Sequence, residues 1–319
     1  MVERRTTAEA AVGWIGVARA SAATAALFLG GLLLPIGGPL LMALTPQPGL
    51  RLSQGGPGRV LTFVVALAAA GVGLAGGAGP AVFYLVSFGL LTITLPALLR
   101  RDWSIAVTIG LATAGVAVAS LGVALCVSTP TELWIAIRAG LEQVREEAVR
   151  VYAHAGLAPG MIHDLDDGSA RVIDGVLRLA PALFLVSIAA VVLINVELLR
   201  RSQRVRGLVP VFGDLTRWEC PPELVWILIA SGYGSFVASG ALEAVATNVL
   251  AVLLVVYFCQ GLVIAQFYMR RWRSPFWVIG LVYLFIVVEW LLATGVTLLG
   301  VFDLWADFRR LNPRPVEED

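Results

Sequence analysis

Long apolar runs separated by short polar connections fill this chain, and the runs set its architecture. Eight regions, near 11–44, 60–77, 79–99, 104–127, 177–199, 222–239, 242–269 and 275–300, are apolar almost throughout. A helix rises ~1.5 Å per residue, so ~20 apolar residues cross the ~30 Å hydrocarbon layer of a bilayer. Only helices or closed barrels satisfy their backbone groups there, and the apolar–polar alternation of barrel strands is absent. The pattern predicts an all-α integral membrane protein, a bundle of about eight transmembrane helices.

Breaks in the pattern refine this. Pro35-Ile-Gly-Gly-Pro39 interrupts the first region, so a full helix followed by a short or broken one is expected over 11–44. Gly76-Gly-Ala-Gly-Pro80 predicts a tight turn between two spans, and Pro221-Pro222 the start of a helix. Four parts result: an N-terminal membrane bundle over 1–127, an extramembrane segment over 128–176, a C-terminal membrane bundle over 177–310, and a polar tail over 311–319.

The extramembrane segment carries its own pattern. Thr129-Pro130-Thr131-Glu132 is a capping box with proline at the first helical position. Leu133, Trp134, Ile137, Leu141, Val144, Ala148, Val151 and Tyr152 then recur at steps of three and four, with Glu142, Glu146 and Arg150 opposite. This predicts an amphipathic helix ending near Gly156, followed by an acidic loop. Its apolar face is expected to cover the protein's own helices; the membrane surface or a partner are the other surfaces it fits.

Charge orients the bundle. Connections near 45–59, 99–103, 199–221 and 270–274 hold two, two, five and three arginines, whereas those near 77–79 and 239–242 hold none. The segment 128–176 has four arginines against eight acids. Cytoplasmic loops carry the basic excess, which puts the arginine-rich set and the N-terminus inside and 128–176 outside. The first region must then enter and return. The same count would put the C-terminal tail outside, but its Arg309, Arg310 and Arg314, offset by five acids, leave its side open.

Composition agrees with a lipid environment. Hydrophobic residues make up 58%, charged residues 14%, and mean hydropathy is +0.85; soluble domains carry about 25% charge. A net charge of +1 gives no electrostatic footprint for nucleic acid. All 23 basic residues are arginine, the signature of a GC-rich genome. Cys126, Cys220 and Cys259 show no metal-ligand or CxxC spacing, and no removable signal is expected at the N-terminus.

Few residues offer chemistry. Glu289 sits near the middle of the span 275–300, where a carboxylate costs ~2.5–3.5 kcal/mol. It is either a ligand or proton site or a neutral acid hydrogen-bonded between helices. Asn248, Tyr257 and Gln260 on span 242–269, with Gln266, either bind a polar ligand or tie helices together. Asn195 lies in span 177–199 near Glu197, which is placed to pair with Arg200 or Arg201. His154, His163, Asp164, Asp166 and Asp167 match no metal-ligand pattern, and no catalytic fingerprint appears. No enzyme, metal or cofactor is expected.

Two C-terminal features resemble the YybS-like family of predicted polytopic bacterial membrane proteins. One is Gln260-Gly261-Leu262; the other is the ending from Gly300 through Asp303, Asp307, Arg309 and Arg310. The proline-broken first region, the glycine-hinged pair and Arg100-Arg101 follow a similar order. The resemblance covers most of the chain, leaves out 129–156, and implies a multi-pass protein of the bacterial inner membrane. It carries over no catalytic residue. The N-terminal half is distantly similar to the substrate-binding membrane components of energy-coupling-factor vitamin transporters, which hold one ligand in a helical bundle near the outer face.

Two functions follow as expectations. One is a membrane-embedded component that binds or takes up a small molecule, with Glu289, Gln260, Asn248 and Tyr257 converging on one cavity open to the outer side. The other is a scaffold or regulatory protein that docks a partner membrane protein through 129–156 or the tail.

Overall fold

The computed structural model describes residues 13–34, 37–53, 59–101, 103–156, 159–205 and 218–309; Arg310 and the tail 311–319 lie outside them. All regular elements among the described residues are helices. The chain divides into two units, 1–156 with 187–212 and 157–186 with 213–319. The helix Ala180–Val205 is therefore shared between them, instead of belonging wholly to a C-terminal bundle over 177–310 as its position in the chain suggests.

In the N-terminal unit, α1 (Trp14–Leu33) is followed by two seven-residue helices, α2 (Gly38–Leu44) and α3 (Gln47–Ser53). α4 (Arg59–Gly76) runs parallel to α1: Trp14 stacks edge-on to Phe63 at one end and Leu29 lies beside Gly76 at the other. Leu52 of α3 packs with Val17 and Ala20 near the start of α1. The first region thus goes out along α1 and comes back through broken α2 and α3, as the proline–glycine interruption implies.

α5 (Ala78–Leu99) follows the turn at Gly77, whose φ of 86° suits glycine, and contains a π-helical segment at Leu85–Gly89. α6 (Ile105–Val127) starts from Ser104, whose hydroxyl accepts from the Val107 N–H. Leu50, Leu91, Leu95, Val116 and Val192 form one apolar cluster, Phe28, Val72, Tyr84 and Phe88 another.

α7 (Pro130–His154) forms with its capping box complete: Thr129 and Glu132 bond each other's backbone N–H, and the bonds that the Glu132 carboxyl accepts from the Thr129 N–H and hydroxyl hold it below the usual carboxylate range. None of its residues is buried. Among the described residues of its own unit, no helix gives its apolar stripe the expected cover. The expected acidic loop is also a helix, α8 (Pro159–Arg178). Val172, Ile173, Val176 and Leu177 at helical spacing outweigh the aspartates and glycines that read as a loop. α9 (Ala180–Val205) follows after one residue.

In the C-terminal unit, α10 (Leu224–Val237) has 14 residues, ~21 Å, too short to cross unaided. α11 (Ala241–Arg271) has 31, ~46 Å, more than a bilayer core needs. The span expected over 275–300 is broken. α12 (Phe276–Val288) and α13 (Trp290–Ala306) meet at Glu289 with a bend of 102°. Val296, Gly300, Asp303 and Phe308 approach Gly261, Tyr257, Gln260 and Tyr268 respectively. Phe308, just past α13, bonds Tyr268 near the end of α11, so the end of α13 lies beside the end of α11. A pair bent this sharply forms a broken span or a re-entrant loop, not one straight crossing helix.

Six helices among the described residues, α1, α4, α5, α6, α9 and α11, are long and apolar enough to cross a membrane, against the eight regions read from the sequence. The shortfall comes from the short α10 and the bent α12–α13 pair.

Candidate functional site

A buried polar cluster of the C-terminal unit grows from a close helix crossing. A Cβ on Gly300 would lie 2.0 Å from the Tyr257 carbonyl oxygen, and one on Gly261 1.9 Å from that of Val296. Only glycine at both positions lets the backbones of α11 and α13 touch. The contact brings Gln260 and Asp303 together, 43 residues apart in sequence.

Asp303 is buried, and both carboxylate oxygens are used. Oδ2 accepts from Gln260 Nε2 at 2.9 Å and from Arg309 Nη2 at 2.9 Å; Oδ1 accepts from the Phe308 N–H at 3.0 Å. Gln260 Oε1 accepts from the Cys220 N–H at 3.0 Å, and Arg309 Nη1 donates to the Trp218 carbonyl at 2.8 Å. The segment 218–220 is thereby fastened to α11 and to the end of α13. Asp307, in the left-handed region at φ 39°, turns the chain so that Phe308 and Arg309 fold back. Tyr268 donates to the Phe308 carbonyl at 2.7 Å and closes the turn. A buried charge survives only when paired and fully hydrogen-bonded, and Asp303 meets both conditions.

Beside this network lies a cavity of ≈ 140 Å³, lined by Glu219, Cys220, Tyr257, Gln260, Asp303 and Asp307 among others. Burial pushes the Cys220 thiol up to about 11, so it presents a neutral S–H. The Tyr257 ring is almost fully buried, and its hydroxyl has no hydrogen-bond partner among the described residues.

Of the four residues singled out in the sequence, Gln260 and Tyr257 line this cavity and the other two do not. Asn248 lies near the opposite end of α11, where its amide donates to the Arg178 carbonyl at 3.0 Å and accepts from the Ala182 N–H at 2.9 Å. It joins α11 to the α8–α9 junction, close to the Arg178–Glu243 ion pair. Glu289 is exposed at the bend between α12 and α13, with an extended backbone. The expected convergence of all four on one cavity is therefore not found.

Elsewhere, Glu197 pairs with both Arg200 and Arg201. Asn195 is fully buried, taking the Gln47 amide at 2.9 Å and donating to the Ala43 carbonyl at 2.8 Å. All three cysteines are free. Among the described residues no group of three or more His, Cys, Asp or Glu is placed to hold a metal ion. The side chains of His163, Asp164 and Asp167 lie outside the described residues.

Sequence reasoning passed over Glu219 and weighed Cys220 only for metal-ligand or CxxC spacing. Asp303 and Asp307 stood in the C-terminal motif without a role. The motif turns out to be the crossing itself: Gln260-Gly261 on one helix, Gly300 and Asp303 on the other.

Residues 22–304 match a family model described as "Predicted membrane protein (DUF2232)". The matched interval includes Gln260, Gly261, Gly300 and Asp303, and runs across the 129–156 segment that the resemblance leaves out. No curated protein and no solved structure matches the chain.

Proposed function

This chain belongs to the DUF2232 family of predicted membrane proteins, and from that premise we propose that it binds a small polar molecule in the cavity between 219–222 and the α11–α13 crossing. The observation that carries the reading is the cavity itself: a polar pocket built against two apolar helices, beside a network that fixes its walls.

Size narrows the ligand. A volume of ≈ 140 Å³ compares with the ~150 Å³ that takes a benzene-sized molecule and falls well short of the ~300–1,000 Å³ of drug-sized pockets. A vitamin does not fit this cavity. The ligand is a small polar solute with few heavy atoms.

The side of access also departs from the uptake expectation. The cavity is walled by the end of the arginine-rich 199–221 connection, and the α13 end lies next to the α11 end with Arg270 and Arg271. With the basic excess inside, the cavity opens toward the cytoplasm and the tail is cytoplasmic, which accommodates Arg309, Arg310 and Arg314. The protein is then a cytoplasm-facing membrane binding component of the inner membrane, with its N-terminus on the same side.

Native mass spectrometry of protein purified in mild detergent tests the reading. A bound mass below a few hundred daltons, diminished by Tyr257→Phe and Asp307→Asn and retained in Glu289→Ala, is the expected result. No bound species, or loss only in Glu289→Ala, overturns it. A C-terminal fluorescent-protein fusion should be bright and a phosphatase fusion inactive; the opposite pattern refutes the assigned side.

A further inference from the structure

α7 carries an apolar stripe that nothing in its own unit covers. Val144 and Val151 are 65% exposed, Trp134 and Tyr152 44%, and Ile137 38%. At 100° per residue these side chains fall within about a third of the helix circumference. We infer that this stripe lies in the lipid–water interface of the bilayer, with α7 parallel to the membrane plane.

Chain geometry places it there. α6 ends at Val127, and its last turns are lipid-like in character, with Leu121, Leu125 and Val127 all exposed. Only Ser128 and Thr129 separate that end from α7, both extended. Two extended residues reach ~7 Å, about the depth of one headgroup layer. The first turn of α7 therefore begins inside the interface, and its stripe continues the apolar surface of α6. The 25 residues of α7 extend ~37 Å. Standing upright, the helix would carry most of its stripe into water; lying flat, it keeps the whole stripe at the acyl boundary.

The side chains at the edges suit this position. Trp134 and Tyr152 stand near the two ends of the stripe, and such amphipathic rings prefer the headgroup level. Arg138 and Arg145 border one edge, the position from which long basic side chains reach the headgroup level, and Arg145 there is paired with Glu142 at 2.7 Å. Four glutamates and three arginines between 130 and 154 leave almost no net charge. Attraction to anionic lipid is therefore minor, and burial of apolar surface holds the helix down. This role is independent of the cavity in the C-terminal unit.

Spin-label accessibility in full-length protein reconstituted in phosphatidylcholine vesicles tests the inference. Labels are introduced by Val144→Cys and Val151→Cys on the stripe and by Ala139→Cys and Glu146→Cys opposite, with the native cysteines replaced by serine. Stripe labels should collide more with oxygen than with a water-soluble nickel complex, and the opposite labels the reverse. The contrast should persist unchanged when a quarter of the lipid is phosphatidylglycerol. Stripe labels open to nickel overturn the inference, as do labels shielded from both reagents, which would mean that protein covers the face. Unaltered protein offers a second route through lipids bearing a diazirine in the acyl chain. Adducts are expected within Leu141–Tyr152; adducts on α6 with none there contradict the inference.

Discussion

The two units solve the same problem in different ways. Lipid is as apolar as leucine, so helices in a bilayer gain little by burying side chains against one another and must associate through close packing and polar bonds. The N-terminal unit interlocks large side chains, with Phe28, Tyr84, Phe88, Leu91 and Leu95 at its centre, and adds the Gln47–Asn195 amide pair. None of the described residues of the C-terminal unit belongs to these clusters. It brings two backbones into contact at Gly261 and Gly300 and locks them with Gln260, Asp303 and Arg309. The first arrangement distributes its stability over many contacts; the second concentrates it in a few residues, with a cavity beside them.

This contrast can be broken by substitution, most severely at Arg309. Arg309→Ala leaves the Asp303 carboxylate buried without its cation, a loss of ~3–5 kcal/mol. A large fall in the melting temperature of the detergent-solubilised protein is expected; an unchanged melting curve would show that the pair does not hold the unit together. Gly300→Ala comes next. Its Cβ meets backbone, which cannot yield as a side chain can, so a cost of ~1–3 kcal/mol is expected. Gly140→Ala, on exposed α7 with nothing within 4 Å, should instead be neutral or slightly stabilising.

On the other side of the comparison, Asn195→Leu removes the hydrogen bonds to Gln47 and Ala43. Polar bonds between membrane helices average less than a kilocalorie each, so a loss of ~1–2 kcal/mol is expected. A penalty as large as that of Arg309→Ala would erase the distinction between the units.

The smallest effect concerns Cys220. Its thiol proton leaves near 9.0 in the unfolded chain and at about 11 in the folded one. Between those values the unfolded state binds fewer protons, so this group's contribution to stability is complete below pH 9 and declines as pH rises toward 11. In a Cys126→Ser, Cys259→Ser background, maleimide labelling of the native protein at pH 9 should be much slower than after denaturation in detergent. Equal rates would mean an open thiol.

How far the sequence foretold this depends on the kind of signal. Helices announced by long apolar runs appear where expected, as do the break after α1, the turn at Gly77 and the capping box of α7, because each is encoded by neighbours within a few residues. The bend at Glu289 was hidden, since no glycine or proline marks it within an otherwise unbroken apolar run. α8 was obscured by three glycines and four aspartates that locally favour a loop. The Gln260–Asp303 contact joins residues 43 apart, beyond the reach of any local pattern; the motif pointed to both residues without showing that they touch.

A double-mutant cycle on Asp303 and Arg309 tests the central claim most directly. Asp303→Asn, Arg309→Gln and the double variant are unfolded in parallel with the parent protein, and the coupling is read from the four stabilities. The account predicts that the double variant loses clearly less than the sum of the two single losses, because each single change strands the other partner. Strictly additive losses would contradict it, leaving the helix crossing to rest on glycine contact alone.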